Sequence, residues 1–190
     1  AGTVARAVAE NFNQLPDIVR NRLLFKLAEK DRAAGTVARA VAENFNQLPD
    51  IVRNRLLFKL AEKDRAAWDV ARAVAQNFDK LPEDVGNLLF KLAEKDRAAW
   101  AVARAVAQNF DKLPDIVRNR LLFKLAEKDR AAWDVARAVA ENFNQLPEDM
   151  RNLLIRGLSK KEGAVKIVKE IVSSNFHRLP EDIRYSREFI

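Results

Sequence analysis

LPEDVGNLLFKLAEKDRAAWAVARAVAQNF, Leu81 to Phe110, decides the fold, because the sequence on either side repeats it in whole or in part. Pro82 suits the first position of a helix, where its missing donor costs nothing, and Glu83 and Asp84 beside it face the positive end of the helix dipole. Val85, Leu88, Leu89 and Leu92 then fall on one apolar stripe at helical spacing. Asp96 has the chemistry of a cap for a second helix, which carries Val102, Val106, Phe110 and Leu113 on one face and Arg104, Gln108, Asp111 and Lys112 on the other. Leu113 precedes Pro114, so it leaves helical geometry and the next unit begins.

Outward from this stretch, residues 1–33 and 34–66 are identical, and further copies span 67–98, 99–131 and 132–164. A shortened sixth, 165–190, ends the chain. Helix pairs at a period of 32 to 33 residues predict an all-α fold, a single right-handed α-solenoid of stacked pairs. One pair cannot cover its own apolar face, so stacking on neighbours must supply the stability. The alanines at 71, 73 and 75 leave room for that approach.

The ends differ. GLSKKEGAVKIVKEIVSSNFHRLPEDIRYSREFI carries Lys166, Lys169 and Ser173 where other copies have small or apolar residues, as a capping repeat with a wet outer face would. Ser159 and Glu162 have the spacing of a capping box. The chain opens inside a unit, and an uncovered stacking face there predicts self-association or an upstream segment.

With 190 residues, 48% of them hydrophobic and 32% charged, the chain is long enough for a continuous core. No apolar run approaches the roughly 20 residues of a membrane span, and no signal-peptide pattern is present. The absence of cysteine excludes disulfide and thiolate chemistry and fits a reducing, cytoplasmic compartment. His177 is the single histidine, read as a turn residue near Pro180. No phosphate loop, metal-ligand set or nucleophile pair stands out, so no catalytic, metal or cofactor site is expected and the chain does not read as an enzyme.

The pair LPEDVGNLLFKLAEKD and AAWAVARAVAQNF, with an acid between the helices and V-A-R-A-V-A in the second, resembles HEAT-like helical repeats of bacterial and archaeal proteins. It departs from them in its leucine-proline junction and in the tryptophan that opens the second helix. The resemblance covers the whole chain and implies an interaction scaffold that holds a protein or peptide; some relatives bind nucleic acid on a concave face.

Three sets of residues are candidates for that contact. Arg72, Arg104 and Arg137 recur on the second helices. Trp68, Trp100 and Trp133 open the same helices, either as a platform for a partner or, the favoured reading, packed between units; Gly2 and Gly35 replace them in copies one and two and predict a looser N-terminal half. Finally, copies one, two and four read LPDIVRNRLLF, whereas copies three and five read LPEDVGNLLF and LPEDMRNLLI, one residue shorter. The long copies carry the whole net charge of +7 through Arg20, Arg22, Arg53, Arg55, Arg118 and Arg120. These could line a phosphate-binding ridge for nucleic acid or lie on a solvated face, which is favoured. Counting back from Phe25 places Arg20 where Val85 sits, on the buried face. Burial of an arginine is costly, so a π-bulge or a shifted helix start is expected near Asn21, Asn54 and Asn119.

Polar positions on the second helix vary in concert: Glu10, Asn13 and Gln14 or their equivalents in copies one, two and five, Gln76, Asp79 and Lys80 or theirs in copies three and four. They encode a modular readout or, as favoured, record drift. Perfect identity of two copies also admits a designed or recently duplicated array with no evolved ligand.

Overall fold

A Leu-Pro step separates each odd-numbered helix from the next, because proline disfavours helical geometry in the residue before it. In the computed structural model, which describes residues 1–186, Pro16, Pro49, Pro114 and Pro147 cap α2 (Asp17–Ala28), α4 (Asp50–Ala61), α8 (Asp115–Ala126) and α10 (Glu148–Leu158). The other helices are α1 (Gly2–Glu10), α3 (Asp31–Glu43), α5 (Ala67–Gln76), α6 (Val85–Ala93), α7 (Ala99–Gln108), α9 (Ala132–Glu141), α11 (Val165–Ser174) and α12 (Glu181–Arg184). The described residues contain no strand, so the protein is all-α. Residues 187–190, the end of the capping repeat, lie outside this description.

The chain divides into two compact units, Ala1–Val102 and Ala103–Ile190. In the first, α1 packs on α3 and α3 on α5, while α2 packs on α4 and α4 on α6. Each odd-numbered helix also touches its even-numbered neighbours. In the second unit, α8 packs on α10 and α9 on α11, with α9 against both α8 and α10. The alanine-rich odd helices make this approach possible: Ala33, Ala34, Val37, Ala38, Ala40 and Val41 of α3 are all buried. Gly35 lies where an added Cβ would meet the Arg65 carbonyl oxygen at 3.0 Å, a tight approach.

Odd-numbered helices end the same way. The Asn44 side-chain amide donates to the Ala40 carbonyl (2.9 Å), as Asn11, Asn77, Asn109, Asn142 and Asn175 do to the carbonyl four residues back. The same carbonyl also accepts the asparagine's own backbone amide at 3.1 Å, so the side chain doubles the bond that closes each helix. The following phenylalanine turns inward: Phe12, Phe45, Phe78, Phe110 and Phe143 are buried.

The anticipated irregularity in the long copies is absent. α2, α4 and α8 run as uninterrupted α-helix through Asn21, Asn54 and Asn119. Arg20, Arg53 and Arg118 are buried instead, each 4 to 5% exposed. Three contacts offset the desolvation. The Arg53 guanidinium lies 4.3 Å over the Phe45 ring, Nη1 sits 2.9 Å from the Asp50 carboxylate, and Nη2 donates to the Lys80 carbonyl oxygen at 3.0 Å. Arg20 over Phe12 and Arg118 over Phe110 repeat the stack at 4.5 and 4.1 Å, with Asp17 and Asp115 as their acids.

Copy five is not short. Arg151 stands four residues after Pro147, as Arg53 stands after Pro49, and is buried over Phe143 at 4.1 Å with Nη1 donating to the Phe143 carbonyl. Burial pushes its guanidinium below the usual value. Only copy three lacks the arginine, and its register is recovered at the helix start. α6 begins at Val85, not at Pro82, after a tight turn in which the Val85 amide donates to the Pro82 carbonyl. Leu88, Leu89 and Leu92 thereby keep the buried positions of Leu56, Leu57 and Leu60.

The acid between the helices is not a cap either. No side-chain cap forms at α5 or α9. Asp31, Asp64 and Asp129 instead accept from Lys63, Lys95 and Lys161 of the following copy at 2.7 to 2.8 Å, and Glu29 and Glu62 from Lys59 and Lys91. These lysines hold the Glu29, Asp31 and Glu62 carboxyls below the ordinary carboxylate range. Ser159, read as a capping-box residue, closes α10, its hydroxyl donating to the Arg156 carbonyl at 2.9 Å; α11 starts only at Val165.

Candidate interaction face

Burial of one side of the odd helices leaves their polar side outward, and residues four apart share that side. In the first unit Trp68 and Trp100 are half-buried, with ring centroids 6.2 Å apart and planes tilted by 38°. Arg72, one turn after Trp68, sets its guanidinium 5.7 Å from that ring's centre. Asp69 lies beneath. Its side chain is only 12% exposed, with Arg39 Nε at 3.8 Å. Burial, opposed by Arg39 and Arg72, raises its pKa above the ordinary value.

The second unit repeats the arrangement in more open form. Trp133 is 47% exposed, and Arg137 lies 5.7 Å from its ring centre. Arg137 Nε donates to Glu141 at 2.7 Å. Together with Arg104, Gln108 and half-buried Asp134, these residues line a cleft of about 310 Å³. The Asp134 carboxyl is also raised by burial, against the pull of Arg104 and Arg137.

Each unit therefore joins tryptophan and arginine on one face. Trp68, Trp100 and Arg72 come together in the first unit; Trp133, Arg104 and Arg137 come together in the second. The varying positions Gln76, Gln108 and Glu141 are exposed beside these arginines, which periodicity alone does not reveal.

The six arginines considered as a phosphate ridge do not form one. Arg20, Arg53 and Arg118 point inward and are buried, as described above, whereas Arg22, Arg55 and Arg120 are exposed. The reason is geometric: residues two apart on a helix face away from each other. Arg55 lies 5.4 Å over Phe25. Arg151, buried like these three, and half-buried Arg184, 5.7 Å from the Phe176 ring centre, were not among the candidates. The signal was present as an arginine eight residues after each Asn-Phe phenylalanine, in every copy but the third.

His177 is exposed on a 3-10 turn, Phe176–Arg178, edge-on to Phe176 at 5.6 Å. No helix of the described residues is long and apolar enough to cross a membrane, and those residues hold no cluster of metal-ligating side chains. No family model, curated protein or solved structure matches the chain.

Proposed function

We propose that the chain is a non-catalytic interaction scaffold, a right-handed α-solenoid of HEAT-like helix pairs that binds a protein or peptide across its odd-numbered helices. The observation that carries this reading is the recurrence of partly exposed tryptophan and arginine on one face in both units. Tryptophan and arginine dominate the binding energy of protein interfaces, and a repeat array offers them at regular intervals. Packing of like helix on like helix within each unit supports the solenoid. The cysteine-free sequence suits a reducing cytoplasmic setting. Inward arginines leave the phosphate ridge with half its members, which makes nucleic acid the weaker reading.

The test is a peptide array of mixed composition probed with the protein and with an Arg72→Ala/Arg104→Ala/Arg137→Ala variant. Peptides retained by the first and lost by the second, at unchanged melting temperature, support the reading. An array without a retained peptide overturns it.

A further inference from the structure

Second-helix arginines of one sequence register have different neighbours. Arg137 has Glu141 four residues on, and the two are joined at 2.7 Å. Arg39 has Glu43 four residues on and a second acid, Asp69, at 3.8 Å. Arg72 has Gln76 in that position. Its nearest acid on its own helix is Asp69, whose largely covered carboxylate faces Arg39. The exposed guanidinium of Arg72 thus stands 5.7 Å from an indole centre, and among the described residues no salt bridge holds it.

We propose that the residue four positions after the face arginine sets partner specificity, and that Arg72, with Gln76 and the Trp68–Trp100 pair, receives a carboxylate side chain of an acidic peptide segment. Glu141 closes the equivalent place on Arg137. The inference rests on the reading of this face as the interaction surface, and names the class of partner it takes. A guanidinium that already has an aromatic plane on one side keeps its remaining donors for a planar acceptor, and arginine binds carboxylates through paired donors. The tryptophans supply apolar area for the neighbouring side chains of the segment.

The same face argues against a polyphosphate partner. Glu10 and Glu43 in the first unit, and Asp134 and Glu141 in the second, place acid beside the arginines of the other copies. A chain with a charge on every residue would meet repulsion at each of them. A peptide that presents a carboxylate to Arg72 alone meets no such repulsion there.

Two 14-residue fluorescent peptides test this, one alternating Glu with Gly and Leu, the other with Lys in place of Glu, together with single-stranded oligo-dT of the same length. Anisotropy titrations of the whole chain are expected to give the acidic peptide at least about tenfold tighter binding than the basic one, of the order of one charge-assisted hydrogen bond. Gln76→Glu should weaken the acidic peptide by about the same factor. The substitution adds the acid that copy five already carries and leaves the melting temperature unchanged. Arg72→Lys, which keeps the charge and loses the paired donors, should weaken it less. Glu141→Gln should strengthen binding.

Equal binding of both peptides, or no effect of Gln76→Glu, overturns the specificity assignment and leaves the interaction face standing. Tighter binding of oligo-dT than of the acidic peptide overturns it in favour of nucleic acid. Should neither peptide bind while the mixed array retains others, the acidic class is wrong; should the array retain none, the interaction face falls with it.

Discussion

Residues 1–33 and 34–66 have one sequence and two environments. In the second copy Val37 is 1% exposed and Leu56 is fully buried; in the first, the identical Val4 is 50% exposed and Leu23 is only half-buried. Yet Arg20 and Arg53 are equally buried, at 4%. The contrast separates two kinds of contact. Valine and leucine on the stacking surface differ in burial between the two copies, whereas the arginine stacks on a phenylalanine of its own copy in both.

The largest expected break in that comparison comes from the stacking leucines. Leu56→Ala should cost about 2–5 kcal/mol, as truncation of a fully buried leucine does, and Leu23→Ala less than half of that. Urea midpoints of the two variants measure the difference; equal losses would show that burial of the second copy adds nothing. Next in size are the arginines. Arg53→Met and Arg20→Met both remove a stack and an ion pair, but Arg53 also donates to the Lys80 carbonyl, whereas Arg20 Nη2 has no partner. Arg53→Met should therefore be the more destabilising by about 1 kcal/mol, the net worth of one hydrogen bond. The smallest effect is at the glycines. Gly2→Ala meets ordinary contact, 3.6 Å from the Arg32 carbonyl, and should stabilise by a few tenths of a kcal/mol up to about 1. Gly35→Ala, at 3.0 Å from the Arg65 carbonyl, should lose that gain. Equal shifts for the two in a thermal melt would show that the copies do not differ there.

The helix pairs were legible because their stripes have helical period and their boundaries carry proline. The alanine-valine core of the odd helices was legible for the same reason. The fate of Arg20 was not, since the ring it stacks on lies eight residues upstream, across a turn that helical periodicity does not span. Aligning copy five on Ile155 rather than on Pro147 then hid Arg151 and made a full copy look short. Asp96 and its equivalents read as caps because a cap needs only local sequence, whereas the lysines that bind Asp31, Asp64 and Asp129 stand a whole copy away. Of the interaction face, the tryptophans and arginines were visible from their recurrence. That Gln76 and Glu141 decide what the arginines face required the side chains to be placed.

The arginine–phenylalanine stack also defines where this chain can be cut and rejoined. It ties the end of one helix to the first turn of the next across the Leu-Pro step, Phe12 to Arg20 and Phe45 to Arg53. The two identical stretches begin at Ala1 and Ala34, so a segment with these bounds carries its stack entire. A breakpoint between phenylalanine and arginine would leave a buried cation without its ring at one junction and a bare ring at the other. A segment that keeps its stack whole, such as 34–66, is therefore the unit by which such an array could be lengthened or shortened without leaving a broken stack at either junction.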